Sequence, residues 1–258
     1  MRRLLLLVCG IALATGVHAE PLRMAVAANF QDTFEALAAA YAAQGGDKVE
    51  AAYGATGTLY AQIVNGAPFV AFFSADDQRT NDLVNAKKAV PASRFIYAIG
   101  HLALWTPGSK TPPGPDWLAD TSHRIAIANP QLAPYGRAAQ ETLEKLKLWN
   151  ALGARLVTGA SIAQAFQFTA SGGADGGFVA TAQLNSHFHR DVPVNEVWYV
   201  PETMHSPIVQ EAVALNGKHA RQVQRFFDFI TSAAGRRIVE DAGYSVLAPI
   251  PTKSATAP

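Results

Sequence analysis

Ala25-Val26-Ala27-Ala28-Asn29-Phe30 and, further on, Gly54-Ala55-Thr56-Gly57-Thr58 are the stretches whose reading decides the fold. Each passes from an apolar run through a small polar turn into a segment of helical periodicity. That order describes a buried strand, a tight connection and a helix whose first amides have no acceptor within their own helix. Such amides, with the positive end of the helix macrodipole behind them, form a natural site for an anion. Two of them face to face make a clamp.

Leu22 to Ala28 is the first apolar run, and Phe30, Phe34, Leu37 and Tyr41 follow at helical spacing until Gly45-Gly46 stops the helix. Asn29 is predicted to cap this helix, with Asp32 reaching back in a capping box. Lys48 to Tyr53 reads as the next strand, Thr58 to Asn65 as a short helix and Phe69 to Ser74 as a fully apolar strand. This β-α-β-α-β order predicts a parallel sheet with helices on both faces. Ligands bind such sheets at the carboxyl ends of the strands, where Asn29 and Thr56 fall.

Phe95 to Trp105 is nearly continuous in apolar character, which suits a strand passing from one lobe to another. After the Pro- and Gly-rich surface connection Thr106 to Pro115, Arg124 to Ala128 reads as a strand broken by Asn129-Pro130. Gly136 to Leu148 is predicted as a helix, with Glu141 and Lys145 as an exposed i,i+4 pair. Ser161 caps a further helix, Ile162 to Thr169, and Ser171 to Gly177 is a glycine-rich turn before a short buried strand, Gly177 to Ala180. Trp198 to Pro201 reads as a return crossing. Val223, Phe226, Phe227 and Ile230 then form an apolar helical stripe that covers the first lobe's sheet, and Ala234 to Ala242 is a last helix closed by Gly243. Asp76-Asp77 reads as a pair of helix caps. The expected division is residues 20–100 with 203–252 as one lobe and 101–202 as the other, with 253–258 a disordered tail.

The amino terminus sets the compartment. Met1-Arg2-Arg3 is a basic region, Leu4 to Thr15 an apolar one, and Val17-His18-Ala19 a small-x-small cleavage site, so residues 1–19 read as a signal peptide and the mature chain as a soluble periplasmic protein. Cys9, the single cysteine, lies in that leader. The mature chain is therefore expected to lack disulfides. Of 21 Lys and Arg, two belong to the leader, leaving the rest one short of the 20 Asp and Glu. A near-neutral balance of that kind argues against a nucleic-acid partner.

Several motifs together resemble the periplasmic molybdate-binding proteins of ABC importers. They are Ala27-Ala28-Asn29-Phe30, Gly54-Ala55-Thr56-Gly57-Thr58-Leu59-Tyr60-Ala61-Gln62-Ile63, Gly66-Ala67-Pro68, Phe72-Phe73-Ser74-Ala75-Asp76, Asn129-Pro130 with Ala133-Pro134-Tyr135-Gly136, Gly177-Phe178-Val179-Ala180 and Ala242-Gly243-Tyr244. The resemblance implies a type II periplasmic binding fold: α/β, with two lobes of mixed, mainly parallel sheets flanked by helices and joined by two crossings. It implies a tetrahedral oxyanion, molybdate or tungstate, held in the cleft, an ABC permease as partner, a monomer, no catalytic activity and no cofactor. By motif, the ligand positions fall on Asn29 and Ala28 at the first helix start, on Thr56 at the second, on Tyr135, and on the backbone amide of Ile162. Some members carry a tyrosine where this chain has Ala180, others where it has Tyr135. Two departures stand out: Val70 replaces a usual acidic residue, and Thr56 a common serine.

The chemistry of these residues agrees. An oxyanion fully deprotonated at neutral pH accepts hydrogen bonds only, so its site needs donors and no carboxylate, and Asn29, Thr56, Tyr135 and backbone amides supply them. Hydrogen bonds to a charged group are worth ~1.5–3 kcal/mol each. Nanomolar binding needs about −12 kcal/mol before association costs of at least ~4. Six or seven neutral donors reach that sum without arginine. Sulfate or another oxyanion is the nearest competing ligand. From another class, His187-Phe188-His189 places two imidazoles on one strand face for a metal-dependent hydrolase. Gly159-Ala160-Ser161-Ile162-Ala163 lacks the second glycine of a nucleophile elbow, which argues against a hydrolase triad through Ser161.

Overall fold

A computed structural model describes residues 20–120, 122–185 and 192–247. The expected signal peptide with Cys9, the His187/His189 pair and the carboxyl tail lie outside the described residues. In chain order the strands are β1 (Leu22–Ala27), β2 (Val49–Gly54), β3 (Ala71–Ser74), β4 (Phe95–Gly100), β5 (Leu102–Trp105), β6 (Ile125–Ala128), β7 (Leu156–Gly159), β8 (Gly176–Ala180), β9 (Val197–Tyr199) and β10 (Ile208–Ala214). The helices are α1 (Gln31–Ala43), α2 (Thr56–Val64), α3 (Gln78–Asn85), α4 (Pro115–Ala119), α5 (Pro134–Lys145), α6 (Trp149–Leu152), α7 (Ile162–Ala170), α8 (Thr181–Leu184), α9 (Ala220–Thr231) and α10 (Ala233–Asp241).

Two five-stranded sheets result, ordered β2-β1-β3-β10-β4 and β7-β6-β8-β5-β9. Each is mixed. In the first, β1 runs parallel to β2 from Leu22↔Val49 to Ala27↔Gly54 and parallel to β3, whereas β10 is antiparallel to both β3 and β4. The second repeats the scheme, with β6 parallel to β7 and β8, and β5 antiparallel to β8 and β9. The antiparallel strands are those that arrive from the other lobe. Phe95 to Trp105 is accordingly two strands, one in each sheet, parted at His101. The chain crosses back between β9 and β10.

Interior strand β1 has Met24, Ala25 and Val26 wholly buried, so helices pack on both of its faces. On one side the stripe of α9 does so: Phe226 lies 5.6 Å from Phe34 and 5.1 Å from Tyr41 between ring centroids, and Phe227 lies 5.7 Å edge-on from Phe73. Fully burying each such ring contributes ~1.5–3 kcal/mol. Gly243, at φ +94°, ends the last helix as expected.

Three local expectations are corrected. Asn29 does not cap α1 and no capping box forms, because Ala28–Phe30 is a 3-10 turn that carries the Asn29 side chain inwards, away from the helix amides. Glu141 and Lys145 do not pair with each other. Both reach the return crossing instead: Glu141 Oε2 accepts from the Ser206 amide at 2.5 Å, and Lys145 Nζ donates to the Thr203 carbonyl. Strand β10 was not anticipated, since Gln210-Glu211 interrupts its apolar run.

Candidate functional site

Four helical starts converge between the two sheets: the 3-10 turn after β1, α2 after β2, α5 after the Asn129-Pro130 break, and α7 behind its Ser161 cap, whose side chain accepts from the Gln164 amide. Between them lies a cavity lined by Ala27, Ala28, Asn29, Gly54, Ala55, Thr56, Ala75, Ala133, Pro134, Tyr135 and Ile162. All five positions singled out from the sequence therefore share one wall. The space open to the centre of a water-sized group is ≈ 10 Å³. Room on that scale suits a compact ion, since pockets for larger organic ligands run to about 300 Å³ or more. Across the cleft mouth, the Gly57 amide of α2 donates to the Leu132 carbonyl at 2.8 Å.

Each wall residue is held by a specific partner. Thr56 is 2% exposed, and its Oγ1 accepts from the Ala75 amide at 3.1 Å, which leaves its proton free to donate. Ile162 is the first residue of α7 and its side chain packs in the core, so its contribution is its N–H. Ala28 opens the 3-10 turn. The Asn29 side chain faces the lobe interior, where Nδ2 donates to Gln210 Oε1 at 2.7 Å and to Tyr244 Oη at 3.1 Å. Both protons of that amide are used. What Asn29 can still offer a ligand is its backbone.

Tyr135, from the second lobe, is 1% exposed and its Oη accepts from Gln210 Nε2 at 3.2 Å. Burial pushes its phenol well above the ordinary tyrosine range, with Tyr244 and Tyr97 adding to the effect. Tyr97 and Tyr244 are raised by burial in the same way. The three phenols thus stay neutral and keep their protons. Tyr97 Oη lies 3.0 Å from Gln210 Oε1 and 3.1 Å from the Ser74 carbonyl, and Tyr244 donates to the Asn29 carbonyl at 2.7 Å. Gln210, Tyr97 and Tyr244 were missed from sequence. Tyr244 had a signal in the Ala242-Gly243-Tyr244 turn, and Gln210 had one as an amide inside an apolar strand.

Among the described residues, no charged side chain lines this cavity. A larger groove of ≈ 350 Å³ opens beside it, lined by Asp76, Asp77, Glu141 and Arg137 among others. Arg137 lies 3.6 Å from Asp76, so the one guanidinium there is already opposed, and two further carboxylates make the groove hostile to a dianion. Of the two, the small neutral cavity is the better suited to an anion. Among the described residues, no three His, Cys, Asp or Glu side chains gather as a cation site, and no helix is long and apolar enough to cross a membrane.

Two mixed sheets joined by two crossings, with a small cavity between them, define a two-lobed solute receptor of the periplasmic-binding type. Residues 22–245 match the model of the bacterial extracellular solute-binding proteins, and the chain belongs to that family. It is 38% identical over 239 residues to the molybdate-binding protein ModA of Azotobacter vinelandii, covering 91% of this chain and 93% of the relative. It is also 38% identical over 243 residues to ModA of Rhodobacter capsulatus, covering 93% of each. The solved structure of the Azotobacter vinelandii periplasmic molybdate-binding protein superposes with a TM-score of 0.82 at 40% identity, covering 88% of this chain and 100% of that one. The family expected from the motifs is borne out.

Proposed function

We propose that this chain captures molybdate, and also tungstate, in the cavity between its lobes and delivers it to an ABC permease, acting as a periplasmic monomer exported by residues 1–19. The observation that carries this reading is the wall itself: Ala28, Asn29, Thr56, Tyr135 and Ile162 meet around a space without any charged side chain. Neutral dipoles in a buried wall bind a dianion well, because the surrounding low dielectric strengthens each of them. A resident cation would not suit it. The ligand in this reading is bound and released unchanged, without catalysis. The relatives named for molybdate binding support the choice of anion.

The moving bodies in this reading are residues 20–100 with 203–252, and 101–202. Support comes from the chain's two passages between the sheets, at His101 and between Tyr199 and Ile208. Each half supplies part of the wall, so closure completes the site. Isothermal titration of the mature chain is the test. Saturable one-to-one binding of molybdate and tungstate is expected, with sulfate much weaker. Absence of heat with both metal oxyanions would contradict the proposal.

A further inference from the structure

Asp76 and Arg137 face each other across the cleft, each a short step from the cavity wall. Asp76 follows wall residue Ala75 beyond β3 of the first sheet, and Arg137 lies two positions after wall residue Tyr135 on α5, which follows β6 of the second. The Asp76 side chain is 11% exposed and divides its two oxygens between the halves. Oδ1 serves its own half, accepting from the Arg79 amide in the first turn of α3 at 2.9 Å and from Ser74 Oγ at 3.1 Å. Oδ2 faces the other half, 3.6 Å from Arg137 Nη2. Among the ion pairs of the described residues, this is the one whose partners sit on different sheet units. Anchored by Ser74 and α3, the carboxylate cannot follow α5 when the halves part, so opening breaks the pair. Helix α5 is tied along the same stripe at Glu141 and Lys145, which hold the Ser206 amide and the Thr203 carbonyl of the return crossing. A hinge rotation moves points in proportion to their distance from its axis. The ties at the crossing therefore survive opening, and the tie across the cleft does not.

We infer that Arg137 is a positioning residue of the anion site: with Asp76 it forms an ion-pair latch between the two halves that holds wall residues Ala75 and Tyr135 in the closed arrangement. Neither side chain of the pair needs to touch the ligand. The pair acts on the fraction of molecules that are closed, and apparent affinity scales with that fraction. Being neutral as a unit, it favours closure without placing a net charge beside the anion. The inference rests on the receptor reading above and adds to it the contact that sets how firmly the halves stay shut.

The test is molybdate titration of the native chain, Arg137→Gln, Asp76→Asn and the double variant. A latch and a simple charge effect differ in sign. If the two charges acted on the dianion only through their field, Asp76→Asn would tighten binding, Arg137→Gln would weaken it, and the double variant, with the net charge of the native chain, would bind normally. The latch predicts that both single variants bind about two- to fivefold more weakly, chiefly through faster release, and that the double variant is no worse than the weaker of them. Asp76→Asn keeps an acceptor for the Arg79 amide, and the Arg137 side chain is 47% exposed, so Arg137→Gln covers the case of an Asp76 variant that does not fold. Small-angle scattering of the chain without added anion should show a more open average for Arg137→Gln. The field pattern, strictly additive losses, or affinity and scattering both unchanged in Arg137→Gln would overturn the inference alone. A native chain that ignores molybdate would remove the receptor reading, while the scattering difference would still decide the latch.

Discussion

Thr56 and Tyr135 reach the cavity from different lobes, and each has its oxygen pinned by an N–H donor. Removing either hydroxyl while keeping the shape, as Thr56→Val or Tyr135→Phe, is predicted to weaken molybdate binding by ~1.5–3 kcal/mol, measured by titration. Asn29→Ala takes a different route, because its side chain braces Gln210 and Tyr244. It should lower the unfolding free energy as well as the binding free energy, by ~1–3 kcal/mol in each, read by thermal denaturation and titration. Among the described residues no carboxylate, amine, guanidinium or imidazole stands in the wall, and burial raises the phenols of Tyr97, Tyr135 and Tyr244. A raised phenol keeps its proton in the folded chain after the unfolded chain has lost it. Stability from these groups is therefore intact below about pH 10 and declines only as pH climbs above the unfolded value. Affinity followed from about pH 7 to 9 should be flat, and a sigmoidal loss within that window would contradict the phenol assignment. Of these residues, Thr56 and Ile162 were legible because a helix start announces itself in the chain. Gln210 was not, because a lone amide in a strand has no spacing rule to mark it.

At the scale of elements, the strand-turn-helix units around β1, β2, α2 and α7 were readable from period and punctuation. Strand β10 was hidden by two buried polar residues that serve the tertiary structure. Gln210 braces Tyr135, while Glu211 takes the Arg94 guanidinium through Nε at 2.5 Å and Nη2 at 3.1 Å, with Thr80 donating to it at 2.5 Å. Local pattern cannot reveal partners 75 to 131 residues away. The first helix start was misread for a related reason: Asn29 is drawn inward by Gln210 and Tyr244 in preference to its own helix. Helix α2 also carries a contact across the cleft. A Cβ on Gly57 would sit 3.2 Å from the Leu132 carbonyl oxygen and 3.3 Å from its Cα, both backbone atoms with little freedom to yield. Gly57→Ala should therefore loosen closure, weakening molybdate by about three- to tenfold through the strained interlobe bond, with a small change in melting temperature. Small-angle scattering should show a more open unliganded average. An unchanged affinity would mean that the Gly57–Leu132 contact has no part in closure.

For the molecule as a whole, the decisive property is a division of labour between lobes. The first contributes Ala28, Asn29 and Thr56, the second Tyr135 and Ile162, and the space they enclose is small and uncharged. The two-lobed α/β class was legible from the chain because alternating elements and two apolar crossings constrain connectivity. Its closed geometry was not, since it depends on contacts such as Arg137 with Asp76 that no local pattern encodes. The central claim is that neutral dipoles from both lobes trap the anion at this one place. Anomalous diffraction from crystals of the mature chain grown with tungstate tests it most directly. The account predicts a single strong heavy-atom peak within hydrogen-bonding reach of Thr56 and the Ile162 amide; a peak in the charged groove beside Asp77 and Glu141, or elsewhere on the surface, would contradict it.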